Sequence, residues 1–578
     1  MQRWHVLLDG TSLPGRDEIG GKAWSLARMC QLGLPVPPAF VLPTRVCHAY
    51  AATGKTLPAQ AIEALHAGIG YLEGQTGRTF GAGPRPLLLS VRSGAPVSMP
   101  GMMDTVLNLG MNDTVEGALG AEAADPGYAC DTHARFITSY GRIVLKGDLD
   151  DAAGTPEQLR ALAAEETGAV VPDDPWEQLA AAVAAVFASW QSARAKAYRR
   201  HCGISESLGT AVTVQAMAFG NLDDRSGTGV FFTRDPLTGA PEPYGEYLPR
   251  GQGEEVVSGE RTPLPLNHLA AQLPEVHAQL LAAGRTLEAD GRDVQDVEFT
   301  VEQGRLYLLQ ARTAKRSPKA AVQLAVALAD DGVISEREAV GRVTADQVRG
   351  VLRPRLMDED RAGATVIATG EPACPGTAAG LAVRDPDEAV ERAERGEAVV
   401  FVATTTSPED VHAMIAAAAV CTETGGSTSH AAVVCRGLGR PAVVGCGTGS
   451  VAALSGQQIT VDGESGQVFA GALPLRTVAT EDDEALRRLT RWAEAACPVT
   501  VVPPDGTSYV DLDALQVLEP AEVAAAVQGA QAARGSVLDS GAGIAAAVGA
   551  GLRIIVTEHP LPVLLAACAA EAGAGIRA

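Results

Sequence analysis

The sequence predicts a multidomain protein of mixed α/β and α+β architecture, and three observations carry that expectation. A chain of 578 residues is long enough for three or four domains, each with its own core. Strand-like text and alanine-rich helical text alternate in long blocks rather than mixing evenly. The run Gly425-Gly426-Ser427-Thr428-Ser429-His430, followed by Ala-Ala-Val-Val, sets a single histidine at the start of a helix flanked by two strand candidates.

Residues 1 to about 110 alternate short apolar runs with Gly and Pro, and Leu34–Val41 and Leu87–Arg92 read as strands. From about 113 to 203 the text is rich in Ala, Glu and Leu and reads as helix, as in Trp176–Arg199. Strand signals return from Thr210 to about Arg312 and end in Asp296–Val301 and Leu306–Gln310, which closes a first domain over 1–312. Residues 313–363 read as a polar-faced helical linker. A compact α/β domain is expected over 364–473, with strands at Ala398–Val402 and Ala442–Val444 and the His430 helix between them. Residues 474–578 remain as a short, incomplete α/β region.

Composition narrows the function classes. A net charge of −23 argues against nucleic acid or an anionic membrane surface as the main partner, so an anionic substrate needs a local basic pocket. The N-terminal MQRWHVLLDG has no long apolar core, and no run of about 18 apolar residues follows anywhere, so a cytoplasmic protein is expected. Ten cysteines without a CxxC pair suggest neither a zinc site nor a disulfide framework, and most read as small buried apolar residues.

At the His430 segment, Thr428 or Ser429 can cap the helix, and the imidazole then lies beside unpaired backbone N–H groups and the positive end of the helix dipole. That setting suits a histidine that accepts a phosphoryl group. A histidine that only caps or packs is the alternative. A second constellation lies upstream. Gly20-Gly21-Lys22 follows a loop, so its amides and ammonium can face a polyphosphate together. Arg92 stands near the end of a strand, where a guanidinium can grip phosphate. Gly101 and Met103 belong to a turn-rich segment that reads as a lid over phosphates, and Ser226-Gly227-Thr228-Gly229 reads as a second phosphate loop. Asp296 and Glu298 sit at i and i+2 of a strand and so share a face, as do Gln310 and Arg312 on the next. Two carboxylates on one face suit Mg²⁺, which completes its shell with water and phosphate oxygens; a merely solvated polar face is the alternative.

Together these stretches resemble the pyruvate phosphate dikinase family of PEP-utilising enzymes, nearly continuously from the N-terminus to about residue 475. Ile19–Lys22, Ser90–Gly110, Ser226–Gly239, Tyr244–Glu246, Gly251–Glu254, Asp296–Phe299, Gln310 and the His430 segment carry the likeness. The resemblance implies an ATP-grasp-like nucleotide domain, a swivelling phosphohistidine domain and a (β/α)₈ barrel for phosphoenolpyruvate and pyruvate. It also implies ATP as phosphoryl donor, Mg²⁺, inorganic phosphate as co-acceptor, and self-association. By that likeness Lys22, Arg92, Gln310 and Arg312 hold the nucleotide, Asp296, Glu298 and Gln310 serve the metal, and His430 carries the phosphoryl group.

The departures lie near the carrier and downstream of it. Thr424 stands where the family usually has arginine, and Ser427 where it usually has methionine; Thr428 corresponds to the regulatory threonine of some relatives. A barrel needs about 250 residues, whereas roughly 105 follow residue 473. Leu486–Ala493 and Gly549–His559 resemble the barrel's beginning, with Val556 in the place of a substrate-binding arginine. Three readings follow. The first is a dikinase-type phosphotransferase whose acceptor, a small molecule or a separate acceptor-domain protein, binds outside a complete barrel. The second is pyruvate phosphate dikinase activity as half of a split enzyme, and the third a non-catalytic nucleotide-binding regulatory or remnant protein.

Overall fold

Alternating apolar residues on short strands build two five-stranded sheets from the first 313 residues. The computed structural model describes residues 4–97, 99, 105–149, 152–201, 204–253, 255–258, 261–352, 356, 358–476, 480–504 and 508–575. The first sheet runs Val6–Leu7, Ala39–Leu42, Ala211–Ala216, Leu89–Gly94, Thr105–Leu109 in spatial order, every pair antiparallel. The second runs Leu264–Pro265, Tyr244–Pro249, Gly227–Phe232, Gln295–Glu302, Arg305–Thr313, also antiparallel throughout. Helix Arg16–Gln31 joins them, since Ile19, Ala23 and Leu26 bury against Val41 of the first sheet and Val297 and Phe299 of the second.

The region expected to be helical is so, with one difference. Trp176–Arg199 is two helices, Pro175–Ser189 and Ala193–His201. The chain turns at Trp190, whose carbonyl accepts from Arg199 Nη1 at 2.7 Å while the guanidinium stacks over its indole. The strand-rich stretch before Arg312 contains a helix that its sequence signals had hidden, Pro274–Gly291. Its Val276, Leu280, Ala283 and Leu287 recur at helical spacing and bury against the second sheet.

Helices Pro318–Asp330, Glu336–Arg342 and Ala345–Val351 occupy the expected linker, yet they are not a loose spacer. Val322, Leu324, Leu328 and Val348 share one apolar core with Leu486 and Leu489 of helix Glu484–Ala496 and with Leu561, Leu564 and Leu565 of helix Pro560–Gly575. Beyond them lies an eight-stranded sheet. Its centre, Thr377–Val383, Val399–Ala403, Ala419–Thr422 and Ala442–Val444, is parallel. The continuous apolar run at Val399–Val402 follows from that position, because Val399 and Phe401 bury on one face and Val400 and Val402 on the other.

The C-terminal region folds as a four-stranded parallel sheet in the order Thr500–Val502, Ile554–Val556, Ala532–Arg534, Val510–Asp511. Val556 is 1% exposed there and pairs with Val502. Among the described residues, no helix is long and apolar enough to cross a membrane.

Candidate phosphoryl-transfer site

Lys22 owes its place to a glycine. Helix Arg16–Gln31 breaks at Gly20, which has φ 79° and ψ 161°, so a second helical segment starts just before the lysine. A Cβ on Gly20 would lie 2.0 Å from the Gly94 carbonyl oxygen, and Gly21 N–H donates to Ala95 O at 3.0 Å. The loop is thus pressed against the end of the strand that carries Arg92. One turn after Lys22, Ser25 Oγ donates to Ala311 O at 2.6 Å and accepts from Ala311 N–H at 3.1 Å, which fixes the helix between Gln310 and Arg312. Lys22 is exposed to solvent at the edge of this loop. Desolvation there, then Arg92, and to a lesser degree Arg312, hold its ammonium below the usual lysine range, with Glu298 opposing. A site that concentrates cations in this way favours an anion.

The second sheet supplies the acidic side. Directly paired residues on neighbouring strands face the same way, and two such rows cross this sheet. One row is Glu246, Val230, Glu298 and Gln310; the other is Tyr244, Phe232, Asp296 and Arg312. The rows are two residues apart along each strand, so all eight side chains share one face. Asp296 Oδ2 accepts from Arg312 Nε at 2.8 Å, while Oδ1 is buried with no partner. Burial raises the Asp296 carboxyl above the usual range, and Arg312 counters it. An orphaned buried carboxylate oxygen beside a second carboxylate and an amide fits a hard cation with few protein ligands. Among the described residues no group of three or more His, Cys, Asp or Glu side chains gathers for a metal; the face offers two carboxylates, Asp296 and Glu298, with the neutral Gln310 paired opposite Glu298.

His430 opens helix His430–Leu438, with Ser429 at the N-cap position. Neither hydroxyl caps the helix as expected: Ser429 Oγ is buried without a partner, and Thr428 Oγ1 donates to Glu246 Oε2. His430 Nδ1 lies 3.2 Å from Thr406 Oγ1. Desolvation lowers the imidazole pKa, with Asp410 opposing, so the neutral ring is favoured. Thr405, Thr406, Thr422, Thr424 and Ser429 line a shallow recess around His430.

This histidine segment is seated on the acidic face. Ser427 Oγ donates to Glu246 Oε1 at 2.5 Å and hydrogen-bonds the Tyr244 hydroxyl, and Thr428 N–H donates to Glu246 Oε2 at 3.3 Å. A Cβ on Gly426 would meet the Glu246 carboxylate at 2.7 Å, so the approach requires glycine. Arg436 adds a second contact, its guanidinium 6.0 Å above Phe232 while Nη1 donates to Ser427 O at 2.6 Å. Serine in the place of methionine at 427 thus makes a polar contact that a thioether would not.

Two sequence expectations are corrected or left aside. Ser226–Gly229 is no phosphate loop: Gly227–Phe232 is a buried central strand. Ser226 Oγ donates to Asp223 at 2.6 Å and Thr228 Oγ1 to Phe299 O at 3.0 Å, while Gly227 and Gly229 make room for Tyr247 and Phe299. Gly101 and Met103 lie outside the described residues. Sequence reasoning assigned no role to Glu246, Thr406 or Arg436; the Tyr-Gly-Glu spacing, which puts Tyr244 and Glu246 on one strand face, was the available signal for the first.

Two family models match the chain. Residues 54–272 match the family model for the pyruvate phosphate dikinase AMP/ATP-binding domain, and residues 396–466 match that for the mobile domain of PEP-utilising enzymes. The chain belongs to the pyruvate phosphate dikinase family. It is 43% identical over 538 residues to pyruvate, phosphate dikinase of Rhizobium meliloti (strain 1021), a match covering 85% of this chain and 60% of that protein. It is 39% identical over 531 residues to the Clostridium symbiosum protein of the same name (86% and 60%). Pyruvate, phosphate dikinase 2 of Oryza sativa subsp. japonica is 42% identical over 515 residues (83% and 58%). The chain thus spans about three fifths of the length of these curated relatives. Arg92, Tyr244 and Glu246 fall within the match to the AMP/ATP-binding domain and His430 within that to the mobile domain, whereas Lys22, Asp296, Glu298, Gln310 and Arg312 lie outside both matched ranges.

Proposed function

We propose that this protein is an ATP-dependent dikinase-type phosphotransferase in which His430 takes a phosphoryl group from ATP bound over the second sheet. The observation that carries the reading is Glu246: it holds the histidine segment on the sheet face that bears Asp296, Glu298, Gln310 and Arg312, two strands from Glu298. The two antiparallel sheets form an ATP-grasp-like cleft, with Lys22, Arg92, Gln310 and Arg312 on the polyphosphate. Asp296, Glu298 and Gln310 would hold Mg²⁺, which would supply charge neutralisation when bound. His430 donates its Nδ1–H to Thr406, which leaves the Nε2 lone pair for attack on phosphorus. Ser429 Oγ and the uncapped amides of the helix then meet the transferred oxygens.

In this reading AMP leaves, inorganic phosphate takes the other phosphoryl group, and the 364–473 domain swivels to a second acceptor. The C-terminal sheet presents a buried valine at 556, so the second acceptor binds elsewhere, on a small-molecule site or a separate acceptor domain. The name printed for the relatives supports a second reading, pyruvate phosphate dikinase activity with the barrel supplied by a further segment or chain; self-association belongs to either. A non-catalytic regulatory role fits less well with Lys22, Arg92 and the acidic face converging. With Mg²⁺ and ATP, AMP release should require inorganic phosphate and stop when the cation is chelated. AMP release that ignores phosphate would point to water as co-acceptor, and ATP binding without any AMP would favour the regulatory role.

A further inference from the structure

Arg436 lies on the same helix as His430, and it is only 3% exposed. An arginine this deeply buried is normally paired with a carboxylate, yet the hydrogen bonds described for Arg436 go to main-chain carbonyls. Nη1 donates to Ser427 O at 2.6 Å and to Ala373 O at 3.0 Å, while Nε is buried with no partner.

The two carbonyls belong to different parts of the histidine domain. Ala373 is in strand Glu371–Cys374, and Ser427 is in the loop that leads to His430. That loop carries two glycines, with Gly425 at φ 98°, so its backbone has little stiffness of its own. Arg436 ties this pliant loop to the strand. Its guanidinium also lies 6.0 Å above Phe232 of the second sheet, which is paired with Asp296 on one side and Tyr244 on the other. The residue whose carbonyl it holds is the one whose hydroxyl reaches Glu246 and Tyr244. The carbonyl bonds lie within the histidine domain, whereas the contact with Phe232 joins it to the nucleotide domain.

We infer that Arg436 is a positioning residue for the carrier. It holds residues 425–429 in the shape in which Ser427 and Thr428 meet Glu246, so the ordering cost of the loop is met before docking rather than during it. The inference rests on the reading of His430 as the carrier. Methionine at this position would keep an apolar stem but leave both buried carbonyls without their donor. Lysine, with three N–H donors, can serve the carbonyls again, though it lacks the flat group that lies over Phe232.

The test compares Arg436→Met and Arg436→Lys with the unmodified full chain. Docking is read by energy transfer between labels on the nucleotide and histidine domains, and ATP affinity by calorimetry. Labelling of His430 is followed with β-labelled ATP and, separately, with phosphoramidate, which gives its phosphoryl group to imidazole with release of ammonia and needs no docking. Arg436→Met should lose docking and slow labelling from ATP about tenfold or more, with ATP affinity and phosphoramidate labelling unchanged, and Arg436→Lys should recover part of both losses. A methionine variant that docks and is labelled like the unmodified protein would overturn the inference. So would a lysine variant no better than methionine, or equal losses with phosphoramidate. If ATP labels no form of the protein, the carrier reading fails, and the energy-transfer comparison still decides whether Arg436 sets docking.

Discussion

Glu246 is the residue on which the site turns, because a buried carboxylate accepts from two hydroxyls and an amide of another domain. Hydrogen bonds to a charged group contribute about 1.5–3 kcal/mol, so Glu246→Ala should slow histidine phosphorylation about tenfold to a hundredfold. ATP affinity, measured by calorimetry, should stay near that of the unmodified protein, since Glu246 faces the carrier and not the lysine loop. Equal losses in binding and rate would contradict that division. The imidazole itself gives a pH signature. Its pKa is lowered by desolvation, so the neutral, nucleophilic ring persists below the ordinary value of about 6.5. The phosphorylation rate should therefore hold on acidification to about 6.5 and fall only beneath it; an acid limb already declining above pH 7 would show an unshifted or raised histidine.

At the scale of elements, the break in helix Arg16–Gln31 delivers Lys22 to Arg92. Gly20→Ala must accommodate a left-handed φ and a contact with Gly94 O, a cost above about 1 kcal/mol that the loop relieves by moving. Withdrawing a charge-assisted phosphate contact should weaken ATP binding about tenfold or more; unchanged affinity would mean that Lys22 does not bear on the phosphates. Much of this was legible beforehand. Period-2 spacing identified Asp296 with Glu298 and Gln310 with Arg312, and the glycines before His430 marked a helix start. Ser226–Gly229 misled because glycine and hydroxyl residues serve a crowded sheet centre as readily as a phosphate loop. Helix Pro274–Gly291 was hidden inside a strand-rich stretch, although Pro274 at its start and apolar residues at helical spacing were present.

For the whole molecule, the decisive fact is which surfaces meet, and local sequence patterns do not encode it: Glu246 and Ser427 are 181 residues apart. The same surface should make the contact between the two domains sensitive to pH. Glu371 of the histidine domain faces Glu246, with Tyr244 and Arg436 beside them. Burial, and then the Glu246 charge, hold the Glu371 carboxyl above the usual range. A carboxyl whose pKa is raised on docking takes up a proton as the domains meet, so docking is favoured by acid and weakens as pH rises through the raised value. Fluorescence energy transfer between labels on the two domains should fall with rising pH, and Glu371→Gln should flatten that dependence. The central claim is transfer from ATP to His430, and the most direct measurement incubates the protein with Mg²⁺ and ATP labelled in its β-phosphate. The account expects acid-labile label on the protein that His430→Asn abolishes; equal labelling of that variant would contradict it.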